Sequence, residues 1–340
     1  MKKFIAVLLM LTLVLTFSAC AGGGGGGAEP APAPAPAPAA PSDNSGGGLI
    51  KVGIVNNPPS ESGYREANVR DFETVFTEAN GYDVKTFYSL TNDEQLNAAK
   101  QFITEGVDYI LLSAAATDGW DGVLSSAQQA GIKVFLFDRM INADESLFEA
   151  AVVSDMANQG NLAVSWLTDQ GLDAYNVVHI QGVMGSDAQI GRSTALEKAV
   201  GANDNWSLVV QQTASWDEAE AKKIVESVIN SGEKFNVVYA ENDGMARGAV
   251  AALDEAGISH GVDKDVIIMG FDCNTWALEE LLKGNWNYNG QCSPFQAVVI
   301  DAMIKALESG SALAEKIVIS EEKGFDARTI TQADVDTYGI

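Results

Sequence analysis

Asp138 and Arg139 stand side by side at the end of an apolar run, Val134-Phe135-Leu136-Phe137, that a turn signal, Ala130-Gly131, precedes. A carboxylate accepts hydrogen bonds and a guanidinium is a forked donor, so the pair can grip adjacent hydroxyls of a polyol. An ordinary ion pair in a loop would use the same two residues. The run before them reads as a strand buried on both faces of a parallel sheet. In an open α/β sheet the carboxyl edge faces the crevice where ligands bind, and the pair falls on that edge.

The arrangement recurs. After the run at Lys51 to Val55 come Asn56 to Arg65, including Glu61, Tyr64 and Arg65; after Asp108 to Leu112 come Ser113 to Trp120. In the second half, Gly182 to Arg192 follow the run at Asn176 to Ile180, and Ser215-Trp216 follow Leu208 to Gln212. Glu241-Asn242-Asp243 follow Asn236 to Ala240, and Asp272 follows Val266 to Gly270. The rings of Tyr64, Trp120 and Trp216 can cover the apolar face of a sugar while polar neighbours satisfy its hydroxyls. Each residue also has a structural reading: Asn242 or Asp243 as a helix N-cap, Trp216 as core, Arg192 as a solvated helix residue. Those readings do not jointly explain why polar and aromatic groups gather at one kind of edge.

The elements that must position these residues alternate along the chain. The strands named above, with a further one at Val84 to Tyr88, are separated by helix-length stretches. One such stretch is Phe295 to Leu307, where Phe295, Val298, Val299, Ala302, Ala306 and Leu307 recur at helical spacing as an apolar stripe. Alternation of strand and helix predicts an α/β protein with parallel sheets and right-handed crossovers. From Leu49 onward the chain is long enough for two domains of ordinary size, so two doubly wound parallel sheets fit better than one.

Ahead of them, Lys2-Lys3, an apolar run from Phe4 to Phe17 and Ser18-Ala19-Cys20 read as a secretory signal peptide, its run too short to favour a membrane span. The small residues before Cys20 resemble the lipobox of bacterial lipoproteins, in which the cysteine is lipidated, although Phe17 departs from the usual Leu. Plain cleavage is the alternative. Residues Ala21 to Gly48, rich in Gly and in Ala-Pro repeats, offer no core-forming side chains and read as a tether lifting a folded body off a membrane. A net charge of -25 argues against nucleic acid or anionic lipid headgroups as partners. With Cys20 assigned to the lipid, Cys273 and Cys292 remain; a single disulfide is open to them in an exported protein, and free thiols are the reading taken.

Motifs for enzymatic chemistry are missing: no Gly-x-x-x-x-Gly-Lys-Ser/Thr loop, Gly-x-Ser-x-Gly elbow or His-Glu-x-x-His pair occurs. Gly182 to Ser186 can cradle a phosphate at a helix start, but a glycine-rich turn alone is a weak signal. His179 falls in a predicted strand and His260 beside Gly261, neither with an evident partner. Paired carboxylates keep a glycosidase as one alternative to a binding protein.

Four stretches carry a resemblance: Glu61-Ser62-Gly63-Tyr64-Arg65, Phe137-Asp138-Arg139, Tyr239-Ala240-Glu241-Asn242-Asp243-Gly244-Met245 and Gly270-Phe271-Asp272. From about Lys51 to the C-terminus the chain resembles the type I periplasmic substrate-binding proteins of the ribose and galactose class, which feed ABC sugar importers. With Thr117-Asp118-Gly119-Trp120 it looks most like the galactofuranose-binding branch. The resemblance implies that Asp138, Arg139, Arg192, Asn242, Asp272 and Gln291 hydrogen-bond the ligand. It makes Trp216 the stacking ring of the C-terminal lobe, and brings Glu61, Tyr64 and Arg65 from the N-terminal lobe. Two departures bear on which sugar is held: Gln291 is followed by Cys292-Ser293-Pro294 and is an amide where the furanose branch has an acid, and Pro58-Pro59 replaces an aromatic pair of the ribose binders.

The resemblance further implies the periplasmic-binding-protein-like I fold, two lobes joined by a three-crossover hinge. Residues 49–153 and 292–322 would form the N-terminal lobe, and 154–291 and 323–340 the C-terminal lobe, with crossings near Val153 to Asp155, Gln291 and Lys323. Its implied function is capture of a monosaccharide by hinge closure, without chemistry, cofactor or metal, and delivery to an ABC permease and its ATPase by a monomer anchored outside the cytoplasm through lipid alone. A sensor presenting sugar to a membrane receptor kinase would use the same residues.

Overall fold

The computed structural model describes residues 48–340. The signal peptide, Cys20 and the tether up to residue 47 lie outside the described residues. Two lobes are each built on a six-stranded sheet. The first takes β1 (Ile50–Asn56), β2 (Tyr82–Tyr88), β3 (Tyr109–Leu112), β4 (Lys133–Asp138) and β5 (Ala150–Val153). The second takes β6 (Tyr175–Gln181), β7 (Trp206–Thr213), β8 (Val237–Ala240), β9 (Ile267–Asp272) and β10 (Tyr288–Gln291). Late in the chain, β11 (Ile317–Ile319) joins the first sheet beside β5 and β12 (Gly324–Asp326) joins the second beside β10. The chain therefore passes between the sheets after β5, after β10 and after β11.

The orders β11-β5-β4-β3-β1-β2 and β12-β10-β9-β8-β6-β7 repeat one topology, which makes β4 and β9 counterparts. Their strands pair in parallel, apart from the antiparallel β12 on β10. Helices cover both faces, so alternate residues of a central strand enter different cores. In β4, Phe135 and Phe137 pack with Phe72, Tyr109 and Ile300 on one face, while Leu136 packs with Leu112, Trp120 and Leu124 on the other. That double burial is why the strand reads as a continuous apolar run.

Four strands lie outside the runs that read as strands in the sequence. β5 and β10 have four residues each, β11 and β12 three. β10 is Tyr-Asn-Gly-Gln, and its Asn289 is buried because its amide donates to Asp243 Oδ1 at 2.6 Å. The helix expected over Phe295 to Leu307 forms at Ala297–Glu308, but with the opposite face inward. Ala297, Ile300 and Ile304 are buried, whereas Phe295, Val298 and Val299 are 59%, 65% and 38% exposed. The segment is apolar nearly all round, so spacing alone admits two phases. Packing on the first sheet selects one, and Asp71 Oδ2 helps fix it by accepting the Ala297 N–H at 2.8 Å.

Candidate functional site

Asp138 ends β4 and Asp272 ends the counterpart β9, with φ of 69° and 104°. Non-glycine residues rarely adopt such angles, and where they do the strain commonly marks a functional position. Asp138 is buried among donors. Tyr64 Oη donates to its Oδ1 at 2.8 Å, while Arg65 Nη2, Ser113 Oγ and Arg139 Nε donate to its Oδ2 at 2.6, 2.7 and 3.0 Å. Burial pushes this carboxyl up, but the Arg139 and Arg65 charges override it and hold it well below the usual carboxylate range. Burial and then the Asp138 charge push the Tyr64 phenol up, so it stays a donor.

These partners are delivered by the start of the helix Gly63–Val75, whose N-cap Ser62 accepts the Arg65 N–H at 3.2 Å. Glu61 pairs with Arg65 Nε at 3.1 Å and accepts from Asn57 Nδ2 at 2.6 Å. Arg65 is thus spent on Glu61, Asn56, Asn68, Ser113 and Asp138, holding them from behind.

In the second lobe, Arg192 of the helix Asp187–Ala202 is buried, donates to the Glu241 carbonyl and reaches Asp272 Oδ1 at 3.3 Å. Among the described residues no other group bonds the Asp272 carboxylate. Burial raises the Asp272 pKa despite Arg192, and buried Asp243 nearby adds to the rise. Asn242 N-caps the helix Asp243–Ala256, its Oδ1 accepting the Met245 N–H at 2.7 Å, which leaves the amide NH2 only a 3.5 Å contact with the Trp216 carbonyl. The cap reading and the site reading of Asn242 are therefore compatible. Ser215 and Trp216 both have positive φ, 53° and 69°, between β7 and the helix Glu218–Ser231. Trp216 is buried, and its Nε1 has no hydrogen-bond partner among the described residues. Its ring lies so close to Gly182 that a Cβ there would come within 1.9 Å of it.

Eight of the expected residues, Glu61, Tyr64, Asp138, Arg139, Arg192, Trp216, Asn242 and Asp272, line one cavity between the lobes. The lobes are closed over it. Asp187 Oδ2 of the second accepts the Met140 N–H of the first at 2.9 Å, and the Thr117 N–H donates to the Gly185 carbonyl at 3.0 Å. Gly63 faces Asn274 so closely that a Cβ would sit 1.9 Å from its Oδ1.

Arg65 and Gln291 do not line the cavity. Arg65 supports Asp138, and Gln291 lies beside Asp272 in the β10–β9 register, its buried Oε1 unpartnered among the described residues. Among the described residues, Ser62, Met156, Ala188 and Cys292 complete the lining. Met156 and Ala188 open helices and carry no chemical signal in the sequence, whereas Cys292 stands next to a residue that did.

Trp120 is not a stacking ring. It is fully buried in the first lobe's core, and its Nε1 donates to the Ala116 carbonyl at 3.0 Å. The histidines do have partners: His179 Nε2 lies 2.9 Å from Glu241 Oε1 inside the second lobe, and His260 Nε2 lies 3.0 Å from Asp254 Oδ1 at the surface. Cys273 and Cys292 are both buried free thiols.

Known proteins share this architecture. The family described as periplasmic binding protein domain matches residues 52–311. The galactofuranose-binding protein YtfQ of Escherichia coli (strain K12) is 31% identical over 271 residues, 77% of this chain and 83% of that protein. The fructose import binding protein FruE of Bifidobacterium longum (strain NCC 2705) is 29% identical over 304 residues, 86% of this chain and 90% of that one. Among solved structures, the periplasmic binding protein component of the arabinose ABC transporter from Shewanella sp. ANA-3, bound to alpha and beta-L-arabinofuranose, superposes with a TM-score of 0.77 at 28% identity, covering 85% of this chain and 95% of that one.

Proposed function

The chain belongs to the periplasmic binding protein domain family, and from that premise we propose that it captures a monosaccharide in its furanose form between two closing lobes and delivers it to the permease of an ABC importer. The observation that carries this reading is the cavity itself. Among the described residues it offers an ionised carboxylate–guanidinium pair, a second carboxyl group bonded by Arg192 alone and a tryptophan whose ring NH lacks an acceptor. A sugar is the ligand class that answers all of these at once, because its hydroxyls donate and accept while its C–H face covers an aromatic ring. The sugars in the names of YtfQ and of the Shewanella protein support the furanose form.

In this reading Asp138, Arg139, Asp272, Asn242 and Arg192 hold hydroxyls, Trp216 and Tyr64 form walls, and Glu61 and Arg65 fix the first wall's polar groups. Gln291 reaches the ligand only through the residues beside it. The lobes comprise residues 49–153 with 292–322, and 154–291 with 323–340. Contacts from both sides favour the closed state, which the permease recognises and its ATPase then exploits. The protein acts as a monomer without catalysing a reaction, held at the outer face of the membrane through lipid on Cys20.

Calorimetric titration with L-arabinose, D-galactose and D-fructose, against methyl α-D-galactopyranoside as a ring-locked control, tests the proposal. At least one free sugar should bind and the locked pyranoside should not. Binding of none, or equal binding of the locked form, refutes it.

A further inference from the structure

Glu322, in the last passage between the sheets, gathers hydrogen bonds from all the passages. Its Oε1 accepts from Ser154 Oγ of the first passage at 2.7 Å and from the Ser293 N–H of the second at 2.7 Å, while its Oε2 accepts from Gln159 Nε2 at 2.6 Å. Gln159 in turn gives its Oε1 to Arg192, which donates from Nε at 3.0 Å and Nη2 at 2.8 Å. Arg192 lines the cavity. A line of hydrogen bonds therefore runs from the hinge to the site.

The polarity of this line is forced. Arg192 has donors only, so Gln159 must turn its oxygen toward the guanidinium and its NH2 toward Glu322. The Ser293 N–H at the other end is also a donor. Glu322 must accept on both oxygens, which a carboxylate can do and an amide cannot. Both Gln159 and Arg192 are buried, so a mismatched donor is costly there.

We propose that Glu322 is a positioning residue for the binding site: from the hinge it sets the orientation of Gln159, and through Gln159 it holds the guanidinium of Arg192 against Asp272. The proposal rests on the reading of the cavity as a ligand site. Glu322→Gln would put an NH2 against the NH2 of Gln159. If Gln159 turned over to escape, its NH2 would face Arg192, and if the introduced amide turned instead, its NH2 would meet the Ser293 N–H, so one donor–donor clash persists along the line in every orientation. Gln159→Glu alone would set two carboxylates against each other. The double variant E322Q/Q159E restores the polarity, because the amide introduced at position 322 would then accept from Ser293 and donate to a carboxylate that accepts from Arg192.

The test compares wild type, E322Q, Q159E, E322Q/Q159E and R192A by calorimetry with L-arabinose, and by crystal structures of the sugar-free proteins. E322Q should weaken binding by about tenfold or more with Arg192 displaced in the crystal, and the double variant should recover both affinity and geometry. A general loss of stability would not be repaired by exchanging an acid and an amide between two positions. E322Q that binds as wild type does with Arg192 unmoved, or a double variant no better than E322Q, overturns the proposal. Should R192A bind as wild type does, the reading of the cavity fails instead, and the crystallographic position of Arg192 still decides the relay.

Discussion

Asp138 satisfies two demands that pull against each other. Charge on Oδ2 is met by Arg65, Ser113 and Arg139, while among the described residues Oδ1 receives only Tyr64 and keeps a lone pair for a ligand. Arg139→Ala should weaken sugar binding by about 1.5–3 kcal/mol with the fold retained, since one charge-assisted bond is lost. Asp138→Ala should abolish binding and also lower the melting temperature, because it strands buried Arg65, a loss of about 3–5 kcal/mol when a buried pair is broken. Unchanged calorimetric affinity in either variant contradicts the assignment. The carboxyl's depressed pKa sets a pH signature. Its contribution to stability is fully present above the ordinary aspartate pKa and is lost as pH falls through the lower folded value. The gap in melting temperature between wild type and Asp138→Asn should therefore be widest above about pH 4 and close in stronger acid. Trp216→Ala should weaken binding by about 1–3 kcal/mol if stacking on a sugar resembles base stacking in scale. Trp216→Phe should keep most of the affinity while losing much of the sugar-induced fluorescence change; full affinity in the alanine variant would make the ring structural.

The elements place these side chains by ending where they do. β4 and β9 stop on aspartates in the left-handed region, and β7 stops ahead of Ser215 and Trp216 in that same region, so strand ends rather than long loops aim the cavity groups. Capping does the rest: Ser62 starts the helix that carries Tyr64 and Arg65, and Asn242 spends its carbonyl oxygen on Met245 so that its NH2 group faces away from the helix. Gly182 belongs to this scale because the strand-to-helix turn it occupies must let the indole pass. Gly182→Ala should displace Trp216 and weaken binding by an amount comparable to Trp216→Ala, read by the same titration, since the added Cβ would overlap the ring. Wild-type affinity in that variant would mean the ring can move without consequence.

For the whole molecule, closure joins two sheets of one topology so that the carboxyl ends of both face a single cavity. Among the described residues its lining extends from Glu61 to Cys292, and a protein truncated to begin at Leu49 should bind sugar as the full chain does. A truncated protein that folds but loses affinity would show that the preceding residues reach the site. Two of the contacts that span the cleft, Met140 with Asp187 and Thr117 with Gly185, are anchored on backbone N–H groups.

The sequence alone determined the alternation of strands and helices, the two parallel sheets and the polar residues at their carboxyl ends. Those features are local: a strand buried on both faces must be apolar along its length, and the residue that ends it is where polarity returns. Asp138, Arg139, Asn242 and Asp272 were legible for that reason. β10 was not, because its buried Asn289 is polar for the sake of Asp243, 46 positions away. Trp120 and Trp216 carry the same ring at equivalent-looking positions, and only packing sends one into a core and the other to the cavity. The inward face of the helix Ala297–Glu308, the support of Asp138 by Arg65, the pairing of His179 with Glu241 and the convergence of the passages on Glu322 were likewise decided by tertiary structure. Each depends on groups brought together from distant parts of the chain, and a periodicity read along the chain holds no term for such a meeting.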